Sequence, residues 1–240
     1  MHWTKNLLSV AAMVSFASPA LADTIPLDAS NIGQSYTFGF DGFVDSTTVS
    51  GLTSEATFTL TGISGNDYQF SYSLTNTSSS PVTDSRVSSF AFNTNPEIDS
   101  ATSTGAFSYT TLTSTYPNGI GTVDVCFKDA ATGSCAGGGS GGLMAGETGT
   151  GTFTLSFSQP VSSLSLSDFF VRYQSIEGVP GVGSASGAGT LTSSTSTSTS
   201  SGGTPVPEPG VIGLMGLALA ATALLRRRKV SVRYSGLAAA

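Results

Sequence analysis

The chain reads as an all-β protein: an antiparallel β-sandwich body, with an N-terminal signal helix and a single C-terminal membrane helix at its ends. Three observations predict this. Apolar residues in the body recur at every second position, the period of a strand with one buried face. Gly, Pro, Asn and Asp gather between those runs as turn signals. No stretch of the body keeps a helical period, and the two apolar runs suited to helices lie at the ends.

The first element is the leader. Lys5 precedes an apolar stretch from Leu7 to Ala17, and the exit is Ala20-Leu21-Ala22. A basic start, a short oily run and small residues at the exit are what a signal peptidase reads. Residues 1–22 are therefore expected as a signal peptide, with Ala20, Ala22 and Asp23 marking the cut before Asp23.

The body, residues 23–189, is expected as one β-sandwich domain, long enough for a sizeable core. Tyr36, Phe38 and Phe40 share one face of the first long run. Phe58 and Leu60 do so in the next, and Tyr68, Phe70, Tyr72 and Leu74 in the third. Val123, Val125 and Phe127 point inward, which assigns Cys126 to the opposite, more exposed face. Phe153, Leu155 and Phe157 follow, and "LSLSDFFVRYQSI" supplies one or two further strands. Turns are expected at Ser64–Asp67, Thr77–Pro81, Asn93–Pro96 and Tyr116–Gly119. Many short strands with polar outer faces predict two packed antiparallel sheets.

Cys126 and Cys135 are the only cysteines, nine positions apart in an exported chain, and read as a disulfide. The run "AGGGSGGLMAGETGTG" lacks the Lys-Ser or Lys-Thr of a phosphate-binding loop, so it is expected as a long flexible surface loop. From Gly187 the hydrophobic pattern fades, and residues 190–205 are expected as a Ser/Thr/Gly/Pro linker.

Composition excludes several functions. Between Asp23 and Gly203 only Arg86, Lys128 and Arg172 are basic, against fourteen Asp and Glu, a formal charge of −11. A nucleic-acid binder needs a basic footprint, so nucleic acid is not an expected partner. The only histidine and tryptophan, His2 and Trp3, fall in the leader. The remaining chain therefore has no histidine for acid–base or triad chemistry or for His-containing zinc sites. Asp41 and Asp45, and Asp124 and Asp129, lack EF-hand spacing and read as solvated carboxylates. No catalytic, cofactor or metal-binding residue is assigned.

The C-terminal stretch is the most specific. Val206-Pro207-Glu208-Pro209-Gly210 is followed by fifteen uncharged residues, Val211 to Leu225, then by Arg226, Arg227, Arg228 and Lys229. As a helix the run spans about 22 Å against a bilayer core of about 30 Å. The basic side chains extend it by reaching to the interface, and they predict a cytoplasmic C-terminal flank. Order and spacing resemble a PEP-CTERM sorting signal over residues 206–229, with residues 230–240 as a short tail. That resemblance implies processing by an exosortase, with Pro207-Glu208-Pro209 as recognition element and the basic cluster as stop signal. It also implies an association with the cell envelope and exopolysaccharide.

The body carries a second resemblance. "LTNTSSSPVTDSRVSSFAFNT", "YPNGIGTVDVCF", "CAGGGSGG" and "LSDFFVRYQSI" are similar to the PEP-CTERM proteins called the cistern family. The expectation is a non-enzymatic cell-surface or matrix protein, linked to exopolysaccharide or biofilm. The alternative is a secreted polysaccharide-active β-sandwich enzyme or carbohydrate-binding module. Expected partners are signal peptidase, an exosortase-type enzyme, extracellular polysaccharide, and the membrane before processing.

Overall fold

Alternation in the sequence becomes strand pairing in the computed structural model, which describes residues 23–132 and 134–195. The strands are β1 (Ile25–Leu27), β2 (Ser35–Val44), β3 (Thr47–Ser64), β4 (Asp67–Asn76), β5 (Asp84–Asn95) and β6 (Ser100–Ser103). They continue with β7 (Tyr109–Tyr116), β8 (Gly121–Lys128), β9 (Leu143–Met144), β10 (Thr148–Ser156), β11 (Leu164–Glu177) and β12 (Ser184–Thr195). Two single-turn 3₁₀ helices, Ala29–Asn31 and Gly105–Phe107, complete the described elements.

Tight turns set the registers. Val44 pairs with Thr47 across Asp45 and Ser46, at φ 48° and 65°. Two positive φ values make the hairpin turn that matches strand twist, and Asp is among the residues that tolerate them. Ser64 pairs with Asp67 across Gly65, at φ 63°. Outward Ser and Thr hydroxyls bond across these ladders, as in Ser35–Thr59 at 2.7 Å, Thr37–Thr57 at 2.9 Å and Thr75–Thr148 at 2.8 Å. Each such pair stabilises the sheet by roughly 0.2–1 kcal/mol.

The expectation of two separate sheets is corrected. All pairings are antiparallel, but the strands form one continuous sheet ordered β6-β10-β4-β3-β2-β12-β11-β5-β8-β7, with β1 added to β11 and β9 to β5. The terminal strands of that order, β6 and β7, are consecutive in the chain and joined through Gly105–Phe107, so the sheet rolls into a nearly closed barrel. Tyr72 holds this seam: its hydroxyl donates to Thr104 O at 2.9 Å and accepts from Phe107 N at 3.0 Å. Local periodicity predicts strands but cannot distinguish two sheets from one, because β2–β12 pairing joins distant segments.

Phenylalanines fill the barrel. Phe38 stacks on Phe169 at 4.1 Å, Phe70 on Phe153 at 4.8 Å, and Phe127 lies 4.8 Å from Phe153. Every inward residue expected from alternation is buried, all in the main core except Val123, which packs with Cys126 in a smaller cluster. Each buried ring contributes roughly 1.5–3 kcal/mol by leaving water, and favourable ring pairs add about 0.5–1.5 kcal/mol. Asp168, at φ 54°, forms a bulge in β11, placing Phe169 in the main core and Phe170 against a smaller cluster outside it. "LSLSDFFVRYQSI" is thus one bulged strand.

The linker boundary also moves. β12 continues to Thr195, so Thr190–Thr195 are strand, paired with β2. Residues 196–205 of the expected linker, the signal peptide, the membrane helix and the tail at 230–240 lie outside the described residues.

Candidate functional site

Arg86, from β5, sits beneath the loop that joins β8 to β9. Its Nη1 donates to Asp129 Oδ2 at 2.6 Å and to Gly141 O at 2.8 Å. Its Nη2 donates to Gly138 O and to Gln174 Oε1, each at 2.7 Å. Asp129 Oδ1 accepts from Gly138 N at 2.9 Å. The two charged side chains are 6% and 1% exposed. A planar guanidinium suits this arrangement because its fixed fork satisfies several acceptors at once. Gly142, at φ 77°, lies so close to β5 that a Cβ there would stand 2.3 Å from Val87 O. The expected flexible surface loop is therefore corrected in part: Gly137 and Gly142 are drawn onto β5, a buried ion pair ties the loop there, and its end enters β9 and β10, while Gly139, Ser140 and Gly141 stay exposed.

The disulfide anchors the same loop. Cys126 and Cys135 are bonded, with Cα atoms 5.9 Å apart, within the ordinary range. Ser89 Oγ donates to Cys135 O at 2.8 Å, and Cys135 N donates to Ser114 Oγ at 3.2 Å. The exposed position expected for Cys126 is corrected. It is fully buried with Cys135, Ala91, Tyr116 and Val123, because β5 and β8 carry core on both faces here.

The other two cations are buried as well. Lys128 Nζ donates to Thr111 Oγ1 and Thr132 O. Desolvation pushes its pKa below the ordinary lysine value, against the attraction of Asp129. Arg172 Nη2 donates to Ser184 Oγ at 2.7 Å, and burial lowers its pKa too. Burial raises the neighbouring Tyr116 phenol well above its ordinary value. Every Lys and Arg among the described residues is thus buried, and the charged side chains left at the described surface are carboxylates.

Two carboxylates expected to be solvated are not. Asp129 is in the ion pair, and Asp124 Oδ2 accepts from Thr94 N at 2.8 Å. Asp41 and Glu55 instead flank an open groove of about 450 Å³ on the outer face of β12, β2 and β3, with Thr53, Thr190 and Thr192. Gly39 pairs with both Glu55 and Thr190, so the missing side chain forms the groove floor. Among the described residues no group of three or more His, Cys, Asp or Glu converges on one point.

Of the expected cleavage residues, Asp23 is described and Ala20 and Ala22 are not. Asp23 Oδ2 accepts from Leu191 N at 2.5 Å, tying the start of the body to β12. Val206, Pro207, Glu208, Pro209, Gly210, Arg226, Arg227, Arg228 and Lys229 lie outside the described residues. Among the described residues no helix is long and apolar enough to cross a membrane.

The class defined by these features is a barrel-like all-β domain followed by a sorting tail. Residues 205–229 match the PEP-CTERM protein-sorting motif. The match covers the Pro-Glu-Pro element, the apolar run and the basic cluster together, and none of the barrel. No curated protein and no solved structure matches the chain.

Proposed function

We propose that the chain is an exported, non-enzymatic protein of the cell surface or extracellular matrix, sorted by an exosortase and linked to exopolysaccharide. The observation that carries the reading is the sorting-motif match at residues 205–229. Signal peptidase removes residues 1–22. The apolar run pauses translocation with Arg226–Lys229 in the cytoplasm, and the exosortase removes the membrane tail. Proline at positions 207 and 209 disfavours helix at the residue before each, and an extended segment is the form a processing enzyme engages. The body's likeness to the cistern family belongs to the same reading. Among the described residues the charged side chains at the surface are all carboxylates, which is consistent with solubility outside the cell and disfavours nucleic acid as a partner. Changing Pro207, Glu208 and Pro209 to Ala tests the proposal in the native host: the triple variant accumulates as an unprocessed membrane precursor. Release at the parental level would refute it.

The groove between Asp41 and Glu55 favours a second reading, a carbohydrate-binding or polysaccharide-active module. Carboxylates accept charge-assisted hydrogen bonds from sugar hydroxyls, and hydrolysis needs two acids about one bond. Under this reading Asp41→Asn with Glu55→Gln abolishes retention on, or cleavage of, host polysaccharide. No polysaccharide retained or cut by the parent protein would eliminate it.

A further inference from the structure

The first strand of the body is completed by nearly the last. β12 pairs with β11 from Ser184 to Ala188, then leaves it and follows β2 alone to Thr195. β1 fills the fork that opens. Ile25, Pro26 and Leu27 pair with Leu166, Ser165 and Leu164 on the edge of β11 that β12 vacates. On the other side of the fork, the Asp23 carboxylate takes the backbone N–H of Leu191. Ile25 is 3% exposed and Leu27 1%. The first, third and fifth residues after the Ala22–Asp23 bond are therefore each held by the folded barrel.

An endopeptidase takes its substrate as an unpaired, extended segment, so once the barrel has closed this junction is cut only in the fraction of molecules in which β1 is open. Before closure β1 has no partner. Asp23 and Leu191 are 168 positions apart, and at about 5–20 residues per second that length takes roughly 10–30 s to synthesise. We infer that removal of residues 1–22 precedes closure of the barrel: folding of β1 onto β11 and β12 ends the interval in which the bond before Asp23 can be hydrolysed. The inference rests on reading residues 1–22 as a signal peptide. Leader hydrolysis then comes first and barrel closure second.

The test uses the full-length chain with purified signal peptidase in detergent micelles. The peptidase is added either during coupled translation or after the precursor has folded and oxidised. The expected result is cleavage before Asp23 at least about tenfold slower in the folded precursor, as local protection requires. Ile25→Asp with Leu27→Asp frees β1 and restores fast cleavage to the folded precursor. Should that variant fail to fold, a soluble site-specific protease whose recognition sequence immediately precedes Asp23 gives the same comparison on the parent barrel. Equal rates before and after folding overturn the inference while leaving the leader reading intact. No cleavage before Asp23 in either sample overturns both.

Discussion

Arg86 and Asp129 lie 43 positions apart in the chain and meet at 2.6 Å, both almost wholly buried. The pair fastens the glycine-rich loop to β5, and its partners are fixed by geometry. Breaking such a pair strands a buried charge, which typically costs about 3–5 kcal/mol.

Arg86→Met is therefore expected to lower unfolding stability by about 3–5 kcal/mol, read as a fall in the urea midpoint. Arg86→Lys is expected to be destabilising as well, since an ammonium cannot reproduce the fork to Asp129, Gly138, Gly141 and Gln174. A midpoint within error of the parent for Arg86→Met would remove the ion pair from the account.

The disulfide predicts a second loss. Closing so short a loop stabilises by roughly 2.5–3 kcal/mol in the chain-entropy picture, so Cys126→Ser with Cys135→Ser is expected to fall by that order. Because both sulfurs are buried, thiol titration is informative only in denaturant. Exported protein unfolded without reductant is expected to show no free thiol, and two thiols per chain would contradict the bond.

Much of the barrel was legible in the sequence because its strands put aromatic side chains at alternate positions. Tyr68, Phe70, Tyr72 and Leu74 form such a row, and all are buried. β5 and β12 were not legible, for opposite reasons. β5 is buried on both faces from Ser85 to Phe92, including Ser88 and Ser89, whose hydroxyls bond to backbone carbonyls, so no alternation marks it. β12 carries a single large inward residue, Leu191, because its neighbours fill the space at the two inward positions before it. A Cβ at Gly187 would stand 2.8 Å from Val171 Cγ2, and one at Gly189 2.8 Å from Phe40 Cε1. Composition alone makes such a strand look like a linker. The cysteine pair and the sorting tail were legible because short spacing and motif order carry them. Arg86–Asp129 gave no signal, since nothing local links the two positions.

Gly105 tests the barrel seam. It lies at φ 80°, and a Cβ there would stand 2.0 Å from Thr150 O. Gly105→Ala combines left-handed strain with a backbone clash and is expected to cost roughly 2–5 kcal/mol. Gly62→Ala is the control: its nearest neighbour would be Gln69 Oε1 at 3.5 Å, an ordinary contact. Equal effects on thermal midpoint would show that the seam is not where closure is set.

Alkaline pH provides a fourth test. Burial raises the Tyr116 and Tyr173 phenols above their ordinary value of 10.0, so the folded state keeps protons that the unfolded chain loses. Their stabilisation is complete below pH 10 and is lost as pH rises beyond it. Lys128 acts with the opposite sign below 10.5: its lowered pKa makes stability rise with pH up to that value. Stability is expected to fall above about pH 10.5, where both tyrosines oppose folding. Tyr173→Phe is expected to weaken that fall, while costing about 1 kcal/mol at neutral pH through loss of its 2.7 Å bond to Ser54. A pH profile that stays flat to pH 12 would contradict this.

Intact-mass measurement of the protein released by its native host tests the central claim most directly. The expected species begins at Asp23, lacks the apolar run and basic cluster at 211–229, and carries the Cys126–Cys135 bond. A released species that retains residues 211–229, or one that retains residues 1–22, would contradict the proposed export and sorting.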